Sequence, residues 1–168
     1  TYMIPPLENQ DARLELLGDA IKAVYASVYY KDSKAYMTAT SNVIDQEKMA
    51  VIIQEVIGQT HETRFYPHIS VVARSINYYP VDDQKAEDGI VNLALGLGKY
   101  IVDGGQNLRV DPYQPQRIMQ LSEMEIALRE TQTRFLALDL SQTELNFKTD
   151  DGFNLLNLSV RQADKDGA

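Results

Sequence analysis

The sequence predicts an α+β fold, because three kinds of pattern follow one another along its 168 residues. Residues 11–30 place apolar side chains at helical spacing, as a helix with one core-facing stripe requires. Residues 48–58 and 68–79 are rich in β-branched residues, which indicates strands. Residues 121–138 return to a helical pattern. With 44% apolar residues, the chain can bury one sizeable core.

The first helix is predicted over 11–30, with Asn9 or Asp11 as its N-cap. Its predicted core-facing residues follow helical spacing along one face: Leu14, Leu17, Ile21, Val24, Tyr25 and Val28. We expect a shorter helix through "DSKAYMTATS", ended by Ser41 and Asn42.

A strand meander is predicted in the middle of the chain. "KMAVIIQEVIG" (48–58) is nearly continuous in apolar residues and should be a buried strand closed by Gly58. A second strand covers 68–79 and ends before Pro80, and the polar segment between the two indicates a hairpin connection. "GIVNLALGLG" (89–98) indicates a third strand or a strand that runs into a turn, and "NLRVDP" indicates a short strand.

The last third of the chain is predicted to be mainly helical. Ser122 is the candidate cap of a helix over 121–138. One more apolar run follows, and the acidic residues of the tail indicate a solvated linker: Asp150, Asp151, Asp164 and Asp166.

Composition excludes several function classes. The 24 acidic and 16 basic residues give a net charge of −8, which argues against general nucleic-acid binding. The absence of cysteine and the presence of only two histidines exclude a Cys-ligated zinc and a histidine-rich metal site. No apolar stretch approaches the roughly 18 residues of a membrane span. We therefore expect a soluble, cytoplasmic protein without a membrane partner.

The segment "GLGKYIVDGG" (96–105) is rich in glycine, and the structural role of these glycines has two interpretations. The spacing does not form the GxGxxG pattern of dinucleotide-binding loops, and the chain holds no GxxxxGK[ST], GxSxG or HExxH motif. The glycines can serve as turns between a strand and a helix, or they can bring backbone N–H groups close to phosphate.

Several short motifs in register resemble one family. "AIKAVYASVYYKDSKAYM", "MAVIIQEVIG", "HISVVARSINYYP" and "EDGIVNLALGLGKYIVDGGQ" follow one another with similar gaps over roughly residues 10–115. Together they resemble the nucleotide-binding domain of the phosphoenolpyruvate synthase and pyruvate phosphate dikinase family. The resemblance implies an ATP-grasp-like subdomain with a mostly antiparallel sheet packed with helices. It also implies ATP and Mg²⁺ as cofactors, and phosphoryl transfer through a histidine on another domain to pyruvate.

The resemblance implies a role for the end of the first strand. Gln54, Glu55 and Val56 fall where the family's strand meets adenine. A hinge of this kind pairs backbone groups with the base edge, while apolar side chains cover the ring. The alternatives are that Val56 is ordinary core and that Glu55 faces solvent at a strand edge.

Departures from the family pattern concern the phosphates and the metal. Lys99 stands where the family's G-L-G-E segment has its glutamate, so a phosphate-neutralising ammonium replaces a metal-binding carboxylate. Arg74 is a candidate phosphate clamp, or it pairs with Asp82, Asp83 or Glu87. Gln106 and Asp111 are the candidate Mg²⁺ ligands, ahead of Asp103, which suits a turn.

The resemblance predicts a division at residue 118. Residues 1–118 would be part of the ATP-grasp domain, and 119–168 a helical segment and linker toward the next domain. The phosphate-gripping residues upstream and the histidine-bearing domain downstream would then lie outside this chain, which alone should be inactive. Structural roles are favoured for His61 and His68 over phosphoryl acceptance. The alternative function is a degenerate, non-catalytic relative that acts as a regulatory or interaction module.

Overall fold

A computed structural model describes residues 2–40, 48–121, 123–141 and 154–168. The chain divides into two compact units. The first consists of residues 1–55 with 142–154, and the second of residues 56–141 with 155–168.

The described part of the first unit is mainly helical. Helix α1 spans Gln10–Ala26, continues as a short 3₁₀ turn, and is followed by α2 at Lys31–Ala39. The Asn9 side chain accepts hydrogen bonds from the N–H groups of Asp11 and Ala12, which confirms Asn9 as the N-cap. The Asn154 amide donates to the Met3 carbonyl at 2.6 Å and so joins the two ends of this unit.

The predicted core-facing stripe of α1 is wrong at two positions. Leu14 and Tyr25 are more than half exposed, whereas Leu17 and Ile21 are half-buried. The spacing of apolar residues identifies one face of a helix, but the width of the buried strip depends on what packs against it. The predicted helix end at Ser41 and Asn42 lies outside the described residues.

The predicted strand over 48–58 is wrong. No residue of this segment is in a strand, and Ile52, Ile53 and Ile57 expose between 65% and 89% of their surface. A β-branched run favours extended backbone, but a strand also needs a neighbour with which to exchange hydrogen bonds. Within the described residues, this segment has none. The first strand, β1, begins only at Gln59.

The second unit contains a four-stranded antiparallel sheet. Its strands are β1 (Gln59–His61), β2 (Arg64–Tyr66), β6 (Arg134–Asp139) and β7 (Leu155–Ser159). Their order in the sheet is β1-β2-β6-β7. The β1–β2 hairpin turns at Glu62, which has φ of 55°. The polar segment after Gly58 therefore forms its own hairpin rather than a connection between two longer strands.

A second antiparallel sheet has three strands. They are β3 (Ser70–Arg74), β4 (Ile90–Ala94) and β5 (Leu108–Val110), with β4 in the centre. The strand predicted over 68–79 thus ends at Arg74. Beyond it, the Asn77 side chain accepts from the Tyr79 N–H, and the Asn77 N–H donates to the Ala86 carbonyl, so the backbone forms a loop. The prediction of a strand that runs into a turn at 89–98 is confirmed.

The helix predicted over 121–138 is wrong in its second half. Helix α4 spans Met124–Glu130, and the chain then enters β6. The break comes at Gln132, whose side chain bonds the N–H and the carbonyl of Leu95. In β6, Phe135 and Ala137 alternate into the core, so the period is that of a strand. Ser122 lies outside the described residues.

The core of the second unit lies against the four-stranded sheet. Its buried members are Tyr66, Phe135, Ala137 and Ala163, and Leu95, Leu156 and Leu158 pack around them. Ala163 belongs to α5 (Val160–Asp166), which follows β7 directly. The mixture of helices and two antiparallel sheets confirms the predicted α+β class.

The last third of the chain is therefore not only helix and linker. It contributes β6 and β7 to the same sheet as β1 and β2. The predicted division at residue 118 stays a prediction. The prediction of a solvated acidic tail is wrong for Asp166, whose side chain is 5% exposed and paired with Arg64. Asp164 is exposed as predicted, and Asp150 and Asp151 lie outside the described residues.

Candidate functional site

The glycine-rich segment forms a tight connection between β4 and helix α3 (Lys99–Val102). Gly96 has φ of 84°, and a Cβ on it would lie 2.6 Å from the Leu136 carbonyl oxygen. The next N–H, that of Leu97, donates to the same carbonyl at 2.8 Å. Gly96 is required here because the backbone passes close against β6 in a conformation that side chains disfavour. This position supports the turn interpretation.

Lys99 is the first residue of α3 and is already paired. Its ammonium lies 2.8 Å from Oδ2 of Asp103, one helical turn further on. The Lys99 side chain is 25% exposed and that of Asp103 50% exposed. The pair neutralises both groups, so an incoming phosphate would have to compete with Asp103 for the ammonium.

Arg74 lies exposed at the end of β3. The predicted alternative, an ion pair with one of three acidic residues, is wrong, because Asp82 and Asp83 bind Arg117 at 3.0 and 2.6 Å and Glu87 faces Lys85 at 4.0 Å. A backbone hydrogen bond, and after it the hydrogen bond from the Arg117 guanidinium, holds the pKa of Asp83 below its usual range. Within the described residues, the Arg74 guanidinium has no ion-pair partner.

The predicted adenine-binding residues are not held in a strand. Gln54, Glu55 and Val56 are exposed members of the unpaired segment 48–58. The boundary between the two compact units falls between Glu55 and Val56. The structure therefore leaves these side chains free of core contacts.

The two predicted metal ligands have different surroundings. The exposed Gln106 donates from Nε2 to the Arg129 carbonyl at 2.8 Å and accepts at Oε1 from Thr133. Asp111 is 6% exposed and accepts at Oδ1 from the Tyr113 N–H at 2.8 Å. Within the described residues, no group of three or more acidic or histidine side chains is arranged to hold a metal ion. These residues alone do not form a magnesium site.

A cavity of about 230 Å³ lies in the second unit, between the β4–β5 edge, the loop after β3 and α4. Asp111 is the only one of the seven predicted site residues in its lining. Its walls combine apolar side chains with amides and charged groups: Asn77, Val81, Gln84, Ile90, Arg109, Val110, Asp111, Arg117, Gln120, Ile126 and Glu130.

Buried amides hold the cavity walls in place. Gln120 is 9% exposed, accepts from the Arg109 N–H at 2.7 Å, and donates to the Asn107 carbonyl at 2.7 Å. Asn77 is 3% exposed and donates to Gln84, whose Oε1 also accepts from the Val81 N–H. These buried amides are therefore satisfied by groups of the protein itself.

A protein-family profile described as pyruvate phosphate dikinase, AMP/ATP-binding domain, matches residues 1–157. The chain belongs to this family. The match confirms the resemblance carried by residues 10–115 and extends it through β6 into β7. The α+β architecture agrees with the ATP-grasp-like fold expected of a pyruvate phosphate dikinase nucleotide-binding domain. Comparisons with curated proteins and with solved structures gave no match.

Two histidines of this pyruvate phosphate dikinase relative pack beside the core. The His61 ring stacks on Tyr66 with centroids 4.7 Å apart, and His68 lies 5.7 Å from His61. The buried Nε2 of His61 has no hydrogen-bond partner within the described residues. These contacts agree with structural roles for the two rings.

The helices in the described part of the chain include none with the length and apolar content that a membrane span needs.

The cavity residues Arg109, Arg117 and Asn77 were not predicted from the sequence. They come from β5, from the segment after it and from the loop after β3, and the fold alone brings them together. The alternation of charged and apolar residues in "LRVD" (108–111) was the available signal, because side chains two positions apart point to the same side of a strand, although β5 itself ends at Val110.

Proposed function

We propose that this chain is the nucleotide-binding portion of a phosphoenolpyruvate synthase-like phosphotransferase. In this proposal the whole protein binds ATP with Mg²⁺, transfers a phosphoryl group to a histidine on another domain, and passes it from there to pyruvate. The family match over residues 1–157 carries the proposal.

Gln54, Glu55 and Val56 are proposed to contact the adenine. Their exposure supports this role, because no core packing competes for the side chains. An extended segment can pair its N–H and C=O groups with a base edge as it would with a neighbouring strand. The exposed apolar surface of Val56 and Ile57 can then cover one face of the ring.

Arg74 and Lys99 are proposed to contact the phosphates. Arg74 is free to present its planar fork of donors, which matches phosphate geometry. Lys99 pairs with Asp103, so a phosphate would either share the three-donor ammonium with that carboxylate or replace it. Both residues would stabilise negative charge that develops during phosphoryl transfer.

Mg²⁺ enters this proposal as the ion that accompanies ATP. Gln106 and Asp111 remain its candidate protein ligands, but Gln106 uses both ends of its amide within the protein and Asp111 uses one carboxylate oxygen. The described residues therefore lack a preformed Mg²⁺ site.

One observation favours the alternative of a degenerate, non-catalytic relative. Lys99 stands where the family pattern has a glutamate. Its ammonium pairs with Asp103 at 2.8 Å, so each of the two charges is already neutralised by the other. A nucleotide pocket that has lost its catalytic charges could persist as a regulatory or interaction surface.

Magnesium-dependent nucleotide binding and turnover by the full-length protein test the proposal. Calorimetric titration with ATP and Mg²⁺ should show binding that Arg74→Gln weakens about tenfold, equivalent to about 1.4 kcal/mol. Arg161→Gln, which changes an exposed arginine on α5, is the matched control and should bind normally. An acid-labile phosphohistidine that requires ATP should form on the protein.

Lys99→Glu separates the two candidate functions. A fall in ATP turnover would give the lysine a working role in the phosphotransferase. Turnover that rises, or appears only in the variant, would favour the degenerate relative. Failure of the full-length protein to bind ATP at all would reject the phosphotransferase proposal.

A further inference from the structure

The cavity carries an inference that is independent of the nucleotide site. Its volume, about 230 Å³, is below the roughly 300–1,000 Å³ of clefts that hold drug-sized ligands. It therefore suits a small metabolite better than a complete nucleoside triphosphate. None of the residues proposed to contact adenine or phosphate lines it.

Arg109 and Asp111 give the cavity two opposite charges that do not pair with each other. Within the described part of the chain, neither side chain forms an ion pair. Arg109 donates from Nη2 to the Tyr79 carbonyl at a long 3.4 Å, which leaves most of its donors for other partners. Asp111 is 6% exposed, and among the described residues its Oδ1 accepts only from the Tyr113 N–H.

A buried carboxylate without a cation is costly, and a ligand cation would relieve that cost. A carboxylate on the same ligand could bind the guanidinium of Arg109 by two parallel hydrogen bonds. The cavity therefore presents complementary charges to a molecule that carries both an ammonium and a carboxylate.

The other charged groups of the lining are neutralised locally. Arg117 binds Asp82 and Asp83, and Glu130 binds Arg129 at 3.0 Å. They add a polar rim without competing for the ligand's charges. The remaining wall is aliphatic and comes from four side chains: Val81, Ile90, Val110 and Ile126.

We propose that this cavity binds an aliphatic α-amino acid as its zwitterion. Arg109 holds the carboxylate, Asp111 holds the ammonium, and the aliphatic side chain packs against the apolar wall. This role differs from the proposed Mg²⁺ role of Asp111: Asp111→Asn should weaken leucine binding in this assignment and Mg²⁺-dependent ATP binding in the other.

Methyl-resolved NMR of the full chain titrated with L-leucine tests this proposal. Saturable shifts are expected at the methyl groups of Ile90, Val110 and Ile126. Isoamylamine lacks the carboxylate and 4-methylpentanoate lacks the ammonium, so each should bind at least tenfold more weakly. No shift with leucine, or equal binding by either analogue, would overturn the proposal.

Two variants test whether Arg109 and Asp111 bind the two charged groups of leucine. Arg109→Gln and Asp111→Asn should each weaken leucine binding at least tenfold. Asp111→Asn keeps the oxygen that accepts from Tyr113, so the local turn should survive. The matched controls are Arg161→Gln and Asp164→Asn, which change exposed residues of α5 and should bind leucine normally. Normal leucine binding by both cavity variants would overturn the proposal.

A parallel titration with ATP and Mg²⁺ keeps this proposal separate from the nucleotide function. Leucine shifts at the cavity methyls, with ATP shifts elsewhere, would support it. If ATP shifts the same methyls and leucine does not, the cavity belongs to the nucleotide and the amino-acid proposal fails, whereas the phosphotransferase proposal stands.

Discussion

Asp166, near the C-terminal end of α5, binds Arg64 of β2 across 102 residues of sequence. Its Oδ1 lies 2.8 Å from Nη2 of Arg64, and its Oδ2 accepts from the Tyr66 hydroxyl at 2.8 Å. The side chains of Arg64 and Asp166 are 16% and 5% exposed. This pair joins the last helix to the four-stranded sheet beside the buried Tyr66 ring.

Asp166→Asn should destabilise the second unit by about 1.5–3 kcal/mol, because Arg64 loses its charge-assisted bonds to the buried carboxylate and keeps only the exposed Glu62, at 3.1 Å, among its described ion-pair partners. Urea denaturation at pH 7 would measure the loss. Asp164→Asn, on the exposed side of the same helix, is the control and should change stability by less than about 0.5 kcal/mol. Equal stability of the two variants would mean that the pair contributes little.

The same pair predicts a pH dependence in acid. The hydrogen bond from Arg64 is the main cause that lowers the pKa of Asp166 to about 2. The folded pKa lies below the usual aspartate value, so this contribution is present above about pH 4 and is lost as the pH falls toward 2. The urea midpoint of the wild type should fall over this window by more than that of Asp166→Asn. Parallel pH profiles would contradict the assignment.

The pair also illustrates what the sequence could and could not predict. Local signals worked where neighbours in sequence decide the structure: Asn9 caps α1, and glycines connect β4 to α3. "ADKD" at 163–166 gives no local sign that Asp166 is buried, because its partners lie on β2. Only the fold brings them together.

The predictions of a strand over 48–58 and of helix through 134–138 are wrong for one physical reason. Ile52 and Ile53 have strand propensity but no partner within the described residues, whereas Phe135 and Ala137 fit a helical pattern but pair with β7. Strand formation depends on distant partners, and the single sequence does not reveal them. The cavity could not be predicted from the sequence for the same reason, because the fold brings its lining together from four separate segments of the chain.

Gly96→Ala should be far more damaging than Gly104→Ala, although both glycines have φ of 84°. An added Cβ at Gly104 meets nothing within 4 Å, so that variant pays only backbone strain of about 1 kcal/mol. At Gly96 the Cβ also collides with the Leu136 carbonyl and the Phe135 side chain, which should cost a further ~2 kcal/mol or more. Urea midpoints of the two variants would measure the difference, and equal midpoints would show that β6 yields to the methyl group.

Phe135→Ala should destabilise the second unit by about 3–5 kcal/mol, because the ring is fully buried and lies 4.7 Å from Tyr66. Leu128→Ala, on the exposed surface of α4, removes a large apolar side chain that is 78% exposed and should cost less than about 0.5 kcal/mol. Thermal unfolding of both variants tests the position of the core, and comparable losses would place it elsewhere.

Lys99→Gln should lower stability only slightly but lower ATP affinity strongly if Lys99 serves the phosphates. The pair with Asp103 is partly exposed and one helical turn apart, so its loss should cost only about 0.3–0.5 kcal/mol of folding free energy. A phosphate contact, in contrast, should cost about tenfold in ATP affinity. Asp103→Asn is the informative partner variant, because it releases the ammonium. It should tighten ATP binding by the full-length protein, and calorimetry that finds unchanged affinity in both variants would remove Lys99 from the phosphate site.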